Sequence, residues 1–134
     1  MDFQKRMDET NLGNHFMVHN GIRLTEMRED HAVVELETRA ESQNLFGAVH
    51  GGVFLTMADC AAGAAARSRG TRHVTLSSNM QFFRNSEHSR IKATASIRNR
   101  GKTICTVVVD VTDGDGKLLA GGTITMFAVG KLDE

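Results

Sequence analysis

One short stretch concentrates the residues that could do chemistry: His50, Gly51 and Gly52 in succession, and a carboxylate, Asp59, eight positions after Gly51. Two glycines at a helix entry leave backbone N–H groups uncovered by side chains. Those donors, with the positive end of the helix dipole, can hold an anion or the oxyanion that develops on a carbonyl under attack. Asp59 is the only charged side chain in the run GGVFLTMADCAAGAAA, residues 51–66. A carboxylate among apolar neighbours is costly unless partners compensate, so its presence calls for a role.

The element that must position these groups is a helix apolar nearly all round, which belongs in the interior of a fold. At roughly 1.5 Å per residue, Gly51 and Asp59 lie about 12 Å apart along it. That is too far for both to act on one carbonyl within a single chain. A second copy of the helix, roughly antiparallel to the first, would bring its Asp59 to the partner's Gly51. The chemistry therefore predicts a dimer.

Around this helix the pattern changes character. Residues 2–12 read as a weakly amphipathic surface helix, ended by Asn11, Gly13 and Asn14. Residues 15–26 read as extended around an Asn20, Gly21 turn, residues 32–38 as a half-buried strand, and residues 40–49 as a loop. The central helix then runs to about Arg69, with Gly70 as its stop. Residues 73–83, 90–99, 103–112 and 117–129 alternate or run apolar as strands, and the Asp-Gly steps at 113–116 signal a hairpin. Several long antiparallel strands after one buried helix predict an α+β fold, a sheet wrapped round that helix.

Length and composition narrow the function classes. The 134 residues fit one domain, 1–134, with residues 1–14 as a surface helix or N-terminal extension. Basic and acidic residues balance at 16 each, so nothing recommends a nucleic-acid partner. No apolar run approaches the roughly 20 residues that span a bilayer and no signal pattern opens the chain, so no membrane partner is expected and the reading is cytoplasmic. Cys60 and Cys105 are read as reduced and buried, and no His or Cys spacing suggests a metal site. His15, His19, His31, His73 and His88 are read as surface or structural.

The segments NLFGAVHGGVFLTMAD, VTLSSNMQFF and NRGKTICTVVVDVTDGDGKLLAGGTITMFAV together resemble the hotdog-fold acyl-CoA thioesterases of the phenylacetate-pathway (PaaI-like) and mammalian THEM-type group. The resemblance covers about residues 33–129, and its most specific part is an Asn six before the His of His-Gly-Gly and an Asp nine after it. It implies a hotdog fold, a long central helix wrapped by a curved antiparallel sheet, paired into a homodimer with composite sites and often again into a homotetramer. It implies an acyl-CoA substrate and no cofactor. By position it implies that the Gly51 N–H polarises the thioester carbonyl and that Asp59 of the other subunit is nucleophile or general base. Asn44 would position the water or the carboxylate, and His50 would orient the loop. The hydroxyl on the following strand falls on Thr75, with Ser77 on the same face two residues on. Gly52 would lie against the substrate.

Phe46, Phe54, Leu55 and Phe82 are candidates for an acyl pocket, and Arg84, Arg98, Arg100 and Lys102 for the CoA phosphates. Each set also has an ordinary reading, as core and as a solvated charged turn. Two other functions stay open: a non-catalytic acyl-thioester binder, and a hotdog dehydratase or hydratase, against which the absence of proline counts.

Overall fold

The structure is a computed structural model that describes residues 1–132. Helix α1 (Phe3–Gly13) is capped by Asp2, whose side chain accepts from the Lys5 N–H. A short helix α2 (His15–His19) follows directly. The sequence predicts extended backbone over residues 15–19. Instead the Asn14 side chain caps a single turn, and Met17 is driven into the core at 1% exposure. Strands β1 (Ile22–Arg28) and β2 (His31–Glu37) form a hairpin, and a loop then leads to α3 (Gly51–Ala66). A 3-10 turn over Arg67–Arg69 and a left-handed Gly70 at φ 91° end the helix where the sequence predicts its stop.

Strands β3 (Thr71–Phe82), β4 (Arg90–Arg100), β5 (Ile104–Asp113) and β6 (Leu118–Lys131) complete one antiparallel sheet in the order β1-β2-β4-β5-β6-β3. Its inner face is built by strict alternation, with Ile91, Ala93 and Ala95 on β4 and Cys105, Val107, Val109 and Val111 on β5 all buried. Against them lies the alanine-rich face of α3, whose small side chains let the sheet wrap closely. This is the hotdog arrangement that the resemblance implies.

The two edges of the sheet differ. On β1 the Asn11 side chain donates to the Leu24 carbonyl and accepts from the Leu24 N–H, both at 2.9 Å, and so occupies edge groups that a strand would use. The β3 edge carries no such cover among the described residues and exposes Val74, Leu76 and Phe82. Close contact between β3 and β6 depends on Gly122, where a Cβ would fall 1.9 Å from the Asn79 carbonyl oxygen.

Candidate active site

The buried helix brings Asp59 to the edge of β3, where it meets Thr75. Thr75 Oγ1 donates to Asp59 Oδ1 at 2.5 Å. Asp59 is half-buried in the single chain, less enclosed than a carboxylate within a fully apolar helix should be. It opens into a cleft of about 590 Å³ shared with Leu55, Cys60, Gly63, Arg67 and Thr75.

Ser77 does not share the face of Thr75. Thr75 pairs with Met126 but Ser77 with Thr125, so one extra residue, Leu76, is inserted as a bulge. The insertion shifts the alternation, and Ser78, not Ser77, lines the cleft beside Thr75.

At the helix entry His50 is the N-cap. Its Nδ1 accepts from the Gly52 N–H at 2.8 Å and its carbonyl accepts from the Val53 N–H at 2.9 Å. The Gly52 N–H is therefore already spent within the chain, so of the two glycines only Gly51 offers a donor at the helix entry. The Gly51 N–H has no hydrogen-bond partner among the described residues and stands at the surface. It is the donor the first turn leaves unspent.

Asn44 shapes the loop before this entry. Its Oδ1 accepts from the N–H groups of Phe46 at 2.9 Å and Ala48 at 3.1 Å, an Asx-type turn in which the amide nitrogen has no partner among the described residues. Asn85 reads in the sequence only as a break between strands. In the structure it clamps the loop from outside, accepting from the Val49 N–H at 3.0 Å and donating to the Val49 carbonyl at 2.9 Å. No local signal marks that job, because the two residues are 36 positions apart.

The other candidates separate. Phe54 is 2% exposed and stacks on Phe82, ring centroids 6.4 Å apart, so it belongs to the core and not to a pocket wall. Phe82 is half exposed and faces the Gly51 end of the helix. Phe46 is 87% exposed at the tip of its loop, off the Asp59 cleft of its own chain. Arg100 is engaged structurally: it pairs with Asp30 at 2.9 Å and donates to the Ala65 and Ala66 carbonyls at the end of α3. Arg100 therefore is not a free phosphate ligand. Lys102 follows it in the exposed β4–β5 turn, with Arg98 exposed nearby on β4, whereas Arg84 follows β3 next to Asn85, which bonds Val49 just ahead of α3. Arg84 and the Arg100 turn thus sit toward opposite ends of the central helix and form no single cluster within one chain.

Cys60 is half-buried beside Asp59, and burial pushes its thiol up to about 12, so it is a poor nucleophile at neutral pH. Burial also lowers the pKa of His73 on the opposite wall. Among the described residues no three His, Cys, Asp or Glu side chains gather as a metal site would need.

A long central helix wrapped by one antiparallel sheet, with a carboxylate on the helix held by a hydroxyl on the edge strand, is a hotdog architecture. Residues 46–120 match the sequence profile of the thioesterase superfamily, and the chain belongs to that family as a PaaI-like thioester hydrolase. Acyl-coenzyme A thioesterase PaaI of Escherichia coli K12 is 30% identical over 115 residues, covering 78% of this chain and 82% of its own. Its fold agrees closely, with a TM-score of 0.90 over 97% of this chain and 96% of that one at 23% identity. A variant of phenylacetic acid degradation protein PaaI from Thermus thermophilus has 35% identity and a TM-score of 0.80, covering 85% and 98% of the two chains. A hypothetical thioesterase of Streptococcus pneumoniae TIGR4, solved with coenzyme A, has 28% identity and a TM-score of 0.79 over 84% and 91%. Structures of a Streptococcus pneumoniae TIGR4 hypothetical thioesterase also exist with an Asp or a Thr replaced by Ala, 16 positions apart, the spacing of Asp59 and Thr75.

Proposed function

We propose that this chain hydrolyses acyl-CoA thioesters as a homodimer, with Asp59 of one protomer facing the Gly51 N–H of its partner. The carrying observation is the Asp59–Thr75 pair in an open cleft, while the unspent donor of α3 lies about 12 Å along the same helix. A partner laid along the uncovered β3 edge supplies the missing half. There the apolar side chains Val74 and Leu76 gain burial, and the strand gains backbone partners. The covered β1 edge leaves β3 as the pairing edge. The tetramer rests on the resemblance alone.

In this reading the thioester carbonyl sits between Gly51 and Asp59. As a general base, Asp59 takes a proton from water while the oxygen adds to the carbonyl carbon. The charge that develops on the carbonyl oxygen is met by the Gly51 N–H. Collapse breaks the C–S bond, and the thiolate leaves with the proton from Asp59. As a nucleophile, Asp59 would add to the carbonyl carbon and expel the thiolate as the C–S bond breaks, leaving a mixed anhydride; water then opens it to the free acid and the Asp59 carboxylate, its released proton going to the thiolate. Both routes need Thr75 to fix one carboxylate oxygen, and Asn44 has an amide left to hold the water. Coenzyme A bound to the Streptococcus pneumoniae protein supports CoA as the carrier.

The test is release of free thiol from short, medium, long and aromatic acyl-CoA esters by wild type and Asp59→Asn. Turnover that collapses in the variant supports the reading. A fully active variant sinks the role of Asp59, and a folded protein inactive on every ester points to a carrier-protein substrate or a binding module.

A further inference from the structure

The cleft does not end at Asp59. Gly63 and Arg67 follow at four-residue steps on the same side of the helix and line the same space. Gly63 leaves the way open, and a Cβ built there would stand 3.5 Å from Arg67 Nη1. The Arg67 side chain therefore lies back over Gly63 toward Asp59. Gly63 itself is one helical turn, about 6 Å along the axis, from Asp59.

This guanidinium is half-buried, and its Nη2 donates to Thr10 Oγ1 at 2.8 Å. Among the described residues no carboxylate lies within ion-pair distance of it, whereas Arg69 and Arg100 nearby share Asp30. Burial lowers its pKa from the ordinary arginine value, yet an arginine in a protein keeps its charge. Desolvated charges are normally paired, because an unpaired one forfeits hydration without return. The other polar groups at this end include Asn14, whose Oδ1 is used by the Met17 N–H and whose amide nitrogen has no partner among the described residues.

We infer that Arg67 binds the far end of the acyl group, and that the preferred substrates are thioesters whose short acyl chain ends in a carboxylate. The inference rests on the thioesterase reading, which puts the carbonyl at Asp59. From there a few methylenes reach a group one helical turn away. The phosphates of CoA do not fit this position, since the pantetheine arm holds them many bonds from the sulfur. A cation is also what an anionic chain end needs so close to Asp59.

The experiment compares glutaryl-CoA with valeryl-CoA and adipoyl-CoA with hexanoyl-CoA, with spontaneous cleavage subtracted. Wild type should favour the carboxylate-ended member of each pair by ~10- to 100-fold in kcat/KM, the range of a charge-assisted contact. Arg67→Met should abolish the preference, and Arg67→Lys should keep part of it. Thr10→Val removes the tether but not the charge and should keep the preference, with thermal unfolding followed for each variant. Equal kcat/KM within the pairs in wild type would overturn the inference, as would a preference that survives Arg67→Met. A loss uniform over all four esters would overturn it too, assigning Arg67 to the CoA moiety or to the fold. Calorimetric binding of the same pairs to Asp59→Asn reads the preference without turnover. Absence of hydrolysis on every ester would then count against the thioesterase reading, while equal Kd values would count against Arg67.

Discussion

Thr75 on β3 donates its hydroxyl proton to Asp59 on α3 at 2.5 Å, so the edge strand and the central helix jointly fix the orientation of one carboxylate. Asp59 itself lines the cleft. Thr75→Val keeps the shape and deletes the donor, and kcat should fall ~10- to 100-fold with the fold intact. Thr75→Ser should retain most of the activity. Steady-state kinetics beside thermal unfolding separate this from a loss of structure.

The Gly51 donor can be removed without losing the helix. Proline is well suited to the first helical position, and His50 before it already has an extended backbone at ψ 134°. Gly51→Pro should lower kcat by ~100- to 1000-fold, the usual consequence of losing one oxyanion donor. Gly51→Ala keeps the N–H, and among the described residues of the single chain its Cβ meets only Phe82 at 4.0 Å. It should remain the more active of the two.

Asn85 holds the loop that delivers His50 and Gly51 by two hydrogen bonds to Val49. Asn85→Ala should cost about 1–2 kcal/mol in stability and lower kcat, because the loop is no longer fixed. Denaturant unfolding and kcat measured on one preparation read both effects.

Asp30 gives the acid side of the stability profile. Hydrogen bonding from Arg69, then from Arg100, holds its pKa below the ordinary 3.8. A depressed carboxylate contributes stability in full above its unfolded value and loses it as pH falls through the folded one. Asp30 stands at φ 61°, a conformation asparagine also accepts, so Asp30→Asn tests the charge with little backbone change. The Tm gap between wild type and variant should be constant above about pH 5 and shrink as pH drops below the unfolded carboxylate value.

Gly122 tests the packing of β3 on β6. A Cβ there meets backbone, which cannot swing aside, so Gly122→Ala should destabilise by about 3 kcal/mol or more, read as a fall in Tm.

The sequence signals and the structure agree where the physics is local. Period-two alternation reveals the strands, the apolar run reveals α3, and Gly70 marks where that helix stops. What stays hidden depends on residues distant in the chain. Arg100 reads as a surface cation until Asp30, 70 positions earlier, is folded against it. Ser77 reads as the neighbour of Thr75 until the bulge at Leu76 changes the alternation, and strand pairing, not composition, reveals a bulge. The turn at His15–His19 is too short for periodicity to register, and only Met17 packing into the core gives it a reason. Arg67 has the sequence context of a helix end, and its want of a nearby carboxylate among the described residues is visible only in three dimensions.

The central claim is a site shared between two protomers, and subunit mixing tests it most directly. Asp59→Asn and Gly51→Pro homodimers should each be nearly inactive. After dissociation and reassociation of an equal mixture, half the dimers carry one of each, and each of those regains one site with Asp59 and the Gly51 N–H both intact. Activity should rise to about a quarter of wild type, given two equivalent sites in a symmetric dimer. A mixture that exchanges subunits yet shows no more activity than the two variants alone would contradict the account.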